Sequence, residues 1–200
     1  LVFFTFVMIF FLVWSFYLLH ISKWKMAAVV LACSISVKLI PLIFLPLFFQ
    51  FFTNKSKNNK KLLDLKGFKR LLGFYAIVVS LSILSFVPFY KVELITNYTN
   101  TVLLWLQRFE FNASLYYIAR EIGYGFRGFN EIAVIGKAIP IVIIVFILIF
   151  TFLRKNKSIV ELITAMLLAI SVYYFTATTV HPWYLATLVI LSIFTKYRFP

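Results

Sequence analysis

A single lysine within an apolar stretch is the first residue of this chain that we consider as a candidate for ligand binding. Lys38 lies in "VKLIP", where no acidic neighbour is present to neutralise its charge. A phosphate ligand would supply the missing anion, because ammonium groups bind phosphate through charge-assisted hydrogen bonds. The alternative is that Lys38 is a snorkelling side chain at a helix end. Pro41 follows closely and favours a helix break, and we interpret Lys38 as a phosphate-binding residue.

A second polar cluster, "HPWY", interrupts the apolar stretch 162–195, which contains no Asp, Glu, Lys or Arg. Pro182 breaks a helix because it lacks a backbone donor. His181 can donate to a phosphate or a hydroxyl, or transfer a proton, while the rings of Trp183 and Tyr184 can stack on sugar C–H groups. The alternative is an interfacial aromatic belt beside a snorkelling histidine. That alternative does not account for the His–Pro pair, so we predict a sugar or phosphate site.

A third polar and aromatic stretch, "FEFNASLYYIARE", lies within the segment 91–132. Asn112 is predicted to cap a helix over residues 113–122 that Gly123 ends. This amphipathic helix would lie in the membrane interface over the site, where Asn112 and Arg120 are candidate substrate-binding residues. The sequence also strongly favours the alternative, an interfacial helix whose charged face is solvated and binds no substrate.

The polar clusters lie between apolar segments that are long enough to position them in a membrane. Hydrophobic residues make up 63% of the 200-residue chain, and the apolar segments are 1–20, 26–52, 71–90, 133–153 and 159–195. Because about 20 apolar residues cross the hydrocarbon core, the sequence predicts an all-α, polytopic transmembrane helical bundle. Segments 26–52 and 159–195 are long for one span and short for two. Each is predicted to form a short hairpin, and the two tips, residues 37–41 and 178–184, are predicted to share one outward-opening cavity.

Basic residues predict which side of the membrane each connection occupies. Two connections are strongly basic: residues 53–70 contain Lys55, Lys57, Lys60, Lys61, Lys66, Lys69 and Arg70, and residues 154–157 contain Arg154, Lys155 and Lys157. Such connections favour the cytoplasmic side, which places 91–132 and both hairpin tips outside. We therefore predict a single multi-pass domain over residues 1–200 in the plasma membrane, with an external amphipathic segment at 91–132 and an outward-facing site. Because the chain begins at Leu1 rather than Met, we also expect a fragment of a longer protein.

Composition excludes several other function classes. The net charge of +14 lies mostly in short connections, where it sets topology and meets anionic lipid, so we expect a lipid bilayer as a partner and no nucleic acid. One cysteine, Cys33, excludes an internal disulfide. The sequence contains no Gly-rich phosphate loop and no metal-ligand spacing. We therefore expect no metal and no cofactor.

Three stretches in the same order resemble a known class of enzymes. "SVKLIPLIFLPLFF", "FEFNASLYYIARE" and "TTVHPWYLATLVIL" are similar to sequences in bacterial integral-membrane glycosyltransferases of the GT-C class. The likeness is closest to the polyprenol-phosphate-mannose-dependent mannosyltransferases and spans about residues 26–195.

The resemblance implies a GT-C-like helical fold and transfer of a mannose-like sugar from a polyprenyl-phosphate-linked donor to an external glycan or lipid acceptor. It implies that Lys38 faces the donor phosphate and that His181, Trp183 and Tyr184 line the sugar site. It also implies a carboxylate base in an external loop, which we expect upstream of Leu1, so the catalytic residue is not assigned. A transporter or lipid flippase of the cell envelope is the alternative, because it also uses broken helices and buried charges. A non-catalytic membrane scaffold would not need Lys38 or His181.

Overall fold

The computed structural model describes residues 2–53 and 65–197, and within these ranges the chain is helical. The α-helices are α1 (Val2–His20), α2 (Trp24–Val37), α3 (Phe48–Thr53), α4 (Leu65–Phe86), α5 (Leu94–Arg108), α6 (Leu115–Arg127), α7 (Ile132–Phe152), α8 (Ile159–Thr176) and α9 (Leu185–Ile193). Short 3₁₀ helices occupy Ile40–Leu47, Val87–Phe89 and Pro182–Tyr184. The predicted all-α class is confirmed for the residues described.

Four helical segments in the described ranges are long and apolar enough to cross a membrane: Val2–His20, Leu65–Phe89, Ile132–Phe152 and Ile159–Thr176. Their outward faces carry large exposed apolar side chains, such as Phe3 and Phe10 on α1 and Ile141 and Ile144 on α7. A contiguous apolar surface of this kind is unfavourable in water and indicates a lipid bilayer environment. Four of the five apolar segments predicted from the sequence overlap these helices, and the fifth, 26–52, contains shorter helices.

The segment 26–52 folds back on itself, as predicted. α2 ends at Val37, and the chain returns through the 3₁₀ helix Ile40–Leu47 and α3. Pro41 and Pro46 lie within the 3₁₀ helix, where their missing N–H groups prevent a continuous α-helix. Trp24 at the start of α2 and Phe52 near the end of α3 line the same small cavity, so the two ends of the hairpin meet.

The segment 159–195 also breaks where the sequence predicts. α8 begins with a capping box, in which Ser158 Oγ accepts from the Glu161 backbone N at 3.2 Å and Glu161 Oε2 accepts from the Ser158 backbone N at 3.0 Å. The helix ends at Thr176, and the backbone at His181 is extended. Pro182 then opens a single 3₁₀ turn that leads directly into α9.

Polar contacts join several helices at one end of the bundle, which we call the basic end. Gln50 Nε2 donates to the carbonyl oxygens of Thr151 and Phe152 at 2.8 and 3.1 Å, and its Oε1 accepts from the Asn156 backbone N at 3.2 Å. The ends of α3 and α7 and the turn into α8 therefore meet there. Arg70 lies beside Trp24 at the same end, and Arg154, Lys155 and Lys157 lie in the turn before α8.

The opposite end of the bundle, called here the site end, holds both hairpin tips and the segment 91–132. The Phe111 backbone N donates to the Thr178 carbonyl, and the Val180 backbone N donates to the Phe111 carbonyl, both at 2.9 Å. This single parallel bridge fastens the 91–132 segment to the second tip. The segment contains two helices, α5 and α6, rather than the one predicted.

The predicted bounds of the external helix are wrong. α6 begins after Ser114 and runs through Gly123 to Arg127. Asn112 has a positive φ of 50°, whereas an N-cap residue adopts an extended backbone, so Asn112 cannot cap the helix. Gly128, with φ of 76°, supplies the left-handed conformation that ends α6.

Candidate functional site

Lys38 lies at the tip of the first hairpin and contacts two other elements. It directly follows the last residue of α2, and its backbone is extended, with φ −150° and ψ 136°. The Nζ atom donates to Thr5 Oγ1 on α1 at 2.6 Å and lies 5.1 Å from the ring centre of Tyr184. The second contact has the geometry of a cation–π interaction. The ammonium group is therefore held between α1 and the second hairpin tip.

A cavity of about 470 Å³ opens beside Lys38. Three tyrosines line it, Tyr98 from α5, Tyr173 from α8 and Tyr184 from the second tip, and the remaining wall is apolar (Leu39, Ile40, Ile43 and Val102). Lys38 from the first tip and Tyr184 from the second tip both line this cavity, whereas its predicted opening toward the outside of the membrane stays a prediction. This volume is in the range of small-molecule sites, which combine apolar walls with a few polar groups.

The charge of Lys38 is not neutralised by the part of the chain that the structure describes. None of the eight residues that line the cavity is acidic. The ion pairs among the described residues join Arg120 to Glu110 and Glu121, and Arg127 to Glu131. A half-buried ammonium group with a hydroxyl and an aromatic ring as neighbours favours an added anion.

His181 lies next to the Lys38 cavity but is not among the residues that line it. Its ring stacks on Trp183 with centroids 4.5 Å apart and an interplanar angle of 11°, and it meets Tyr184 edge-on at 5.5 Å. Phe111 and Trp105 approach the same imidazole at 5.5 and 6.3 Å. Tyr184 thus lines the cavity, whereas His181 packs against Tyr184 inside an aromatic cluster and does not line the cavity.

Asn112 fastens the second tip rather than entering the cavity lining. Its Nδ2 donates to the Val180 carbonyl at 3.4 Å, beside the Phe111–Thr179 bridge. The backbone of Asn112 is left-handed, a conformation that asparagine tolerates better than most residues do.

Arg120 belongs to a separate polar cluster at the base of α6. Glu110 accepts from Tyr116 Oη at 2.7 Å, from Arg120 Nη1 at 2.8 Å and from Asn130 Nδ2 at 3.3 Å. The Tyr116 hydrogen bond and the Arg120 guanidinium hold the pKa of Glu110 below its usual value. Burial, together with the Glu110 carboxylate, raises the pKa of Tyr116 to about 12. Arg120 is thus paired with carboxylates and is not among the residues that line the Lys38 cavity.

Three residues of the site were not predicted from the sequence: Thr5, Tyr98 and Tyr173. Thr5 carried a local signal, because it and Ser15 are the two residues with an aliphatic hydroxyl group in the apolar segment 1–20. Tyr98 and Tyr173 carried none, because tertiary packing of α5 and α8 alone brings them to Lys38. In the described part of the chain, no group of three or more His, Cys, Asp or Glu side chains is placed to hold a metal ion.

No protein-family model, no curated protein and no solved structure matches this chain. The functional assignment therefore depends on the geometry and chemistry of the site.

Proposed function

We propose that this protein is a membrane-embedded glycosyltransferase. Its donor would be a mannose-like sugar on a polyprenyl phosphate, and its acceptor would be a glycan or lipid on the outer side of the plasma membrane. The observation that carries the proposal is the Lys38 ammonium group, which faces a cavity of about 470 Å³ without a carboxylate partner in the described residues. A lipid-linked sugar phosphate supplies the anion, while its apolar tail remains in the bilayer.

The cavity walls suit the two halves of such a donor. The phosphate would contact Lys38 Nζ, with Thr5 Oγ1 holding the ammonium group in place. The rings of Tyr98, Tyr173 and Tyr184 offer faces for sugar C–H groups and hydroxyls for hydrogen bonds. His181 and Trp183 would act through Tyr184, because their stacked pair packs against it at 5.5 and 6.3 Å.

The proposed reaction is a displacement at the anomeric carbon of the donor sugar. The acceptor hydroxyl forms the new bond while the bond from the anomeric carbon to the phosphate oxygen breaks. Lys38 stabilises the phosphate as its negative charge grows, which is the stage at which a preorganised cation contributes most. The hydroxyl proton passes to a carboxylate base that we do not assign. Glu110 is poorly suited to this role, because its pKa is lowered and three donors occupy it.

Substitution Lys38→Met tests the proposal. Methionine keeps most of the apolar stem and removes the charge, so we expect turnover to fall by about 10²–10³ with little change in expression. Sugar transfer from a polyprenyl-phosphate-mannose donor is measured in membranes that contain the protein. The apparent KM for the donor is measured alongside turnover, so that loss of binding and loss of transition-state stabilisation are distinguished.

Lys137→Met is the matched control. Lys137 is an exposed lysine near the site end of α7 and does not line the cavity, so its loss should leave transfer unchanged. Near-normal turnover in a well-expressed Lys38→Met protein would remove Lys38 from the mechanism. Movement of the lipid-linked sugar across vesicles without any sugar transfer would favour the transporter alternative.

A further inference from the structure

A second cavity lies beside the Lys38 cavity and shares one side chain with it. This cavity, which we call the α5 cavity, has a volume of about 310 Å³. Its polar lining consists of Lys91, Glu93, Asn97 and Thr101. Tyr98 lines both the α5 cavity and the Lys38 cavity, so the two adjoin across one phenol ring.

Helical spacing explains why α5 borders both cavities. Glu93, Asn97 and Thr101 recur every four residues, which places them on one face of the helix. Tyr98 and Val102 have the same spacing one position later, and they line the Lys38 cavity on the adjoining face. A ligand in the α5 cavity would therefore lie next to a ligand held by Lys38.

The polar groups of the α5 cavity are free to bind a ligand. Thr101 Oγ1 donates to the Asn97 carbonyl at 2.8 Å and keeps its lone pairs as acceptors. Within the described residues, the side-chain amide of Asn97 has no hydrogen-bond partner and the Glu93 carboxylate has no ion-pair partner. Lys91 and Glu93 have opposite formal charges, so the lining does not favour a second phosphate.

We propose that the α5 cavity is the acceptor subsite and that the acceptor is a carbohydrate, an inference that rests on the proposed function. Neighbouring sugar hydroxyls donate and accept at the same time, and an amide, a carboxylate and a hydroxyl together match that pattern. The Tyr98 ring offers a face for sugar C–H groups. One hydroxyl of the bound sugar would extend past Tyr98 toward the donor.

Substitutions Asn97→Ala and Thr101→Val test the subsite. Transfer from a polyprenyl-phosphate-mannose donor to a mannose disaccharide is measured in membranes that contain the protein. Loss of one hydrogen bond to the acceptor should raise the apparent KM for the disaccharide roughly 5- to 10-fold in each variant. The apparent KM for the donor should stay within about twofold, because neither residue lines the Lys38 cavity.

Two neighbouring residues on the same helix are the matched controls. Asn100→Ala and Thr99→Val change the same residue types at exposed positions that line neither cavity, so acceptor KM should not change. Thr99→Val also removes the "NYT" glycosylation pattern that Asn97→Ala removes. If Thr99→Val and Asn97→Ala raise the acceptor KM by the same factor, the cause is the lost glycosylation pattern. That result would overturn the subsite assignment.

Calorimetric titration of the purified protein with the disaccharide, without donor, separates this inference from the proposed function. A Kd that rises in Asn97→Ala and Thr101→Val supports the subsite even in a protein that transfers no sugar. Absence of disaccharide binding to the wild-type protein overturns it. Equal transfer to dodecanol and to the disaccharide would overturn the carbohydrate assignment while leaving the transferase proposal in place.

Discussion

At the scale of single residues, the two cations Lys38 and Arg120 have different electrostatic surroundings. Arg120 is held at 2.8 Å by Glu110 and at 2.9 Å by Glu121, so its charge is neutralised within the protein. Lys38 has a hydroxyl and a phenol ring as its neighbours. A cation whose partners are neutral retains its attraction for an external anion, which is why we propose the phosphate contact for Lys38 and not for Arg120.

The Glu110 cluster makes stability depend on pH in the acid range. Folding lowers the pKa of Glu110 from its ordinary value of 4.5, so its ionised form stabilises the folded protein above about pH 4.5. That contribution is lost as the pH falls through the lowered pKa. Glu110→Gln should lower the unfolding temperature at pH 7 by about 2–4 °C, equivalent to about 1 kcal/mol, and the difference should shrink toward pH 3. Tryptophan fluorescence during heating measures it.

Glu121→Gln is the control for the Glu110 substitution. Glu121 also pairs with Arg120, but its side chain is 67% exposed, compared with 30% for Glu110. Exposed pairs contribute little to stability, so this variant should unfold within about 1 °C of the wild type at each pH. Equal shifts in the two variants would contradict the role assigned to the Glu110 cluster.

At the scale of helices, the sequence predicted the features that depend on local sequence. Hydropathy predicted the long helices, and proline positions predicted the helix breaks. Long apolar runs predicted α1, α4, α7 and α8, because crossing a bilayer requires length and apolarity that a sequence displays directly. Pro41 and Pro182 predicted both helix breaks, because a proline in a helix interior removes a backbone hydrogen bond and clashes with the preceding turn.

Elements whose structure depends on tertiary contacts were not predicted. α5 begins with "LITNYTNT", which is rich in weak helix formers, and its packing against α7 compensates for them. Asn112 resembled a helix cap in sequence, yet the bridge between Phe111 and the second tip requires a different backbone at this position. Tyr98 and Tyr173 were missed for the same reason, since the walls of the Lys38 cavity assemble from four separate parts of the chain.

The approach of α3 to α4 depends on one glycine. A Cβ atom at Gly67 would overlap the backbone carbonyl of Phe52, and backbone cannot move aside as a flexible side chain can. Gly67→Ala should therefore destabilise the protein by about 1–3 kcal/mol. Thermal unfolding measures the effect.

Gly125→Ala on α6 is the control for the Gly67 substitution. No atom lies within 4 Å of a Cβ built at Gly125, so that substitution should stabilise the folded protein by about 0.5–1 kcal/mol.

At the scale of the whole molecule, the two ends of the bundle differ in charge and in chemistry. The basic end joins Gln50 to the turn that contains Arg154, Lys155 and Lys157. The site end carries Lys38, the aromatic cluster around His181 and the Glu110 cluster. Residues 54–64 lie outside the described residues, and with them the predicted cytoplasmic lysines Lys55, Lys57, Lys60 and Lys61. In the described part of the chain, the two ends still differ in their basic residues, and this difference predicts how the bundle is oriented in the membrane.

The predicted orientation places the basic end in the cytoplasm, because lysine and arginine in short connections are retained on that side. Single cysteines at Lys155→Cys and Asn100→Cys, in a Cys33→Ser background, report the two ends. Cys33 is replaced because it is exposed on α2. An impermeant maleimide added to intact cells should label position 100, whereas position 155 should react only after permeabilisation. Labelling of position 155 in intact cells would reverse the orientation and place the Lys38 cavity in the cytoplasm, where it could not serve an external acceptor.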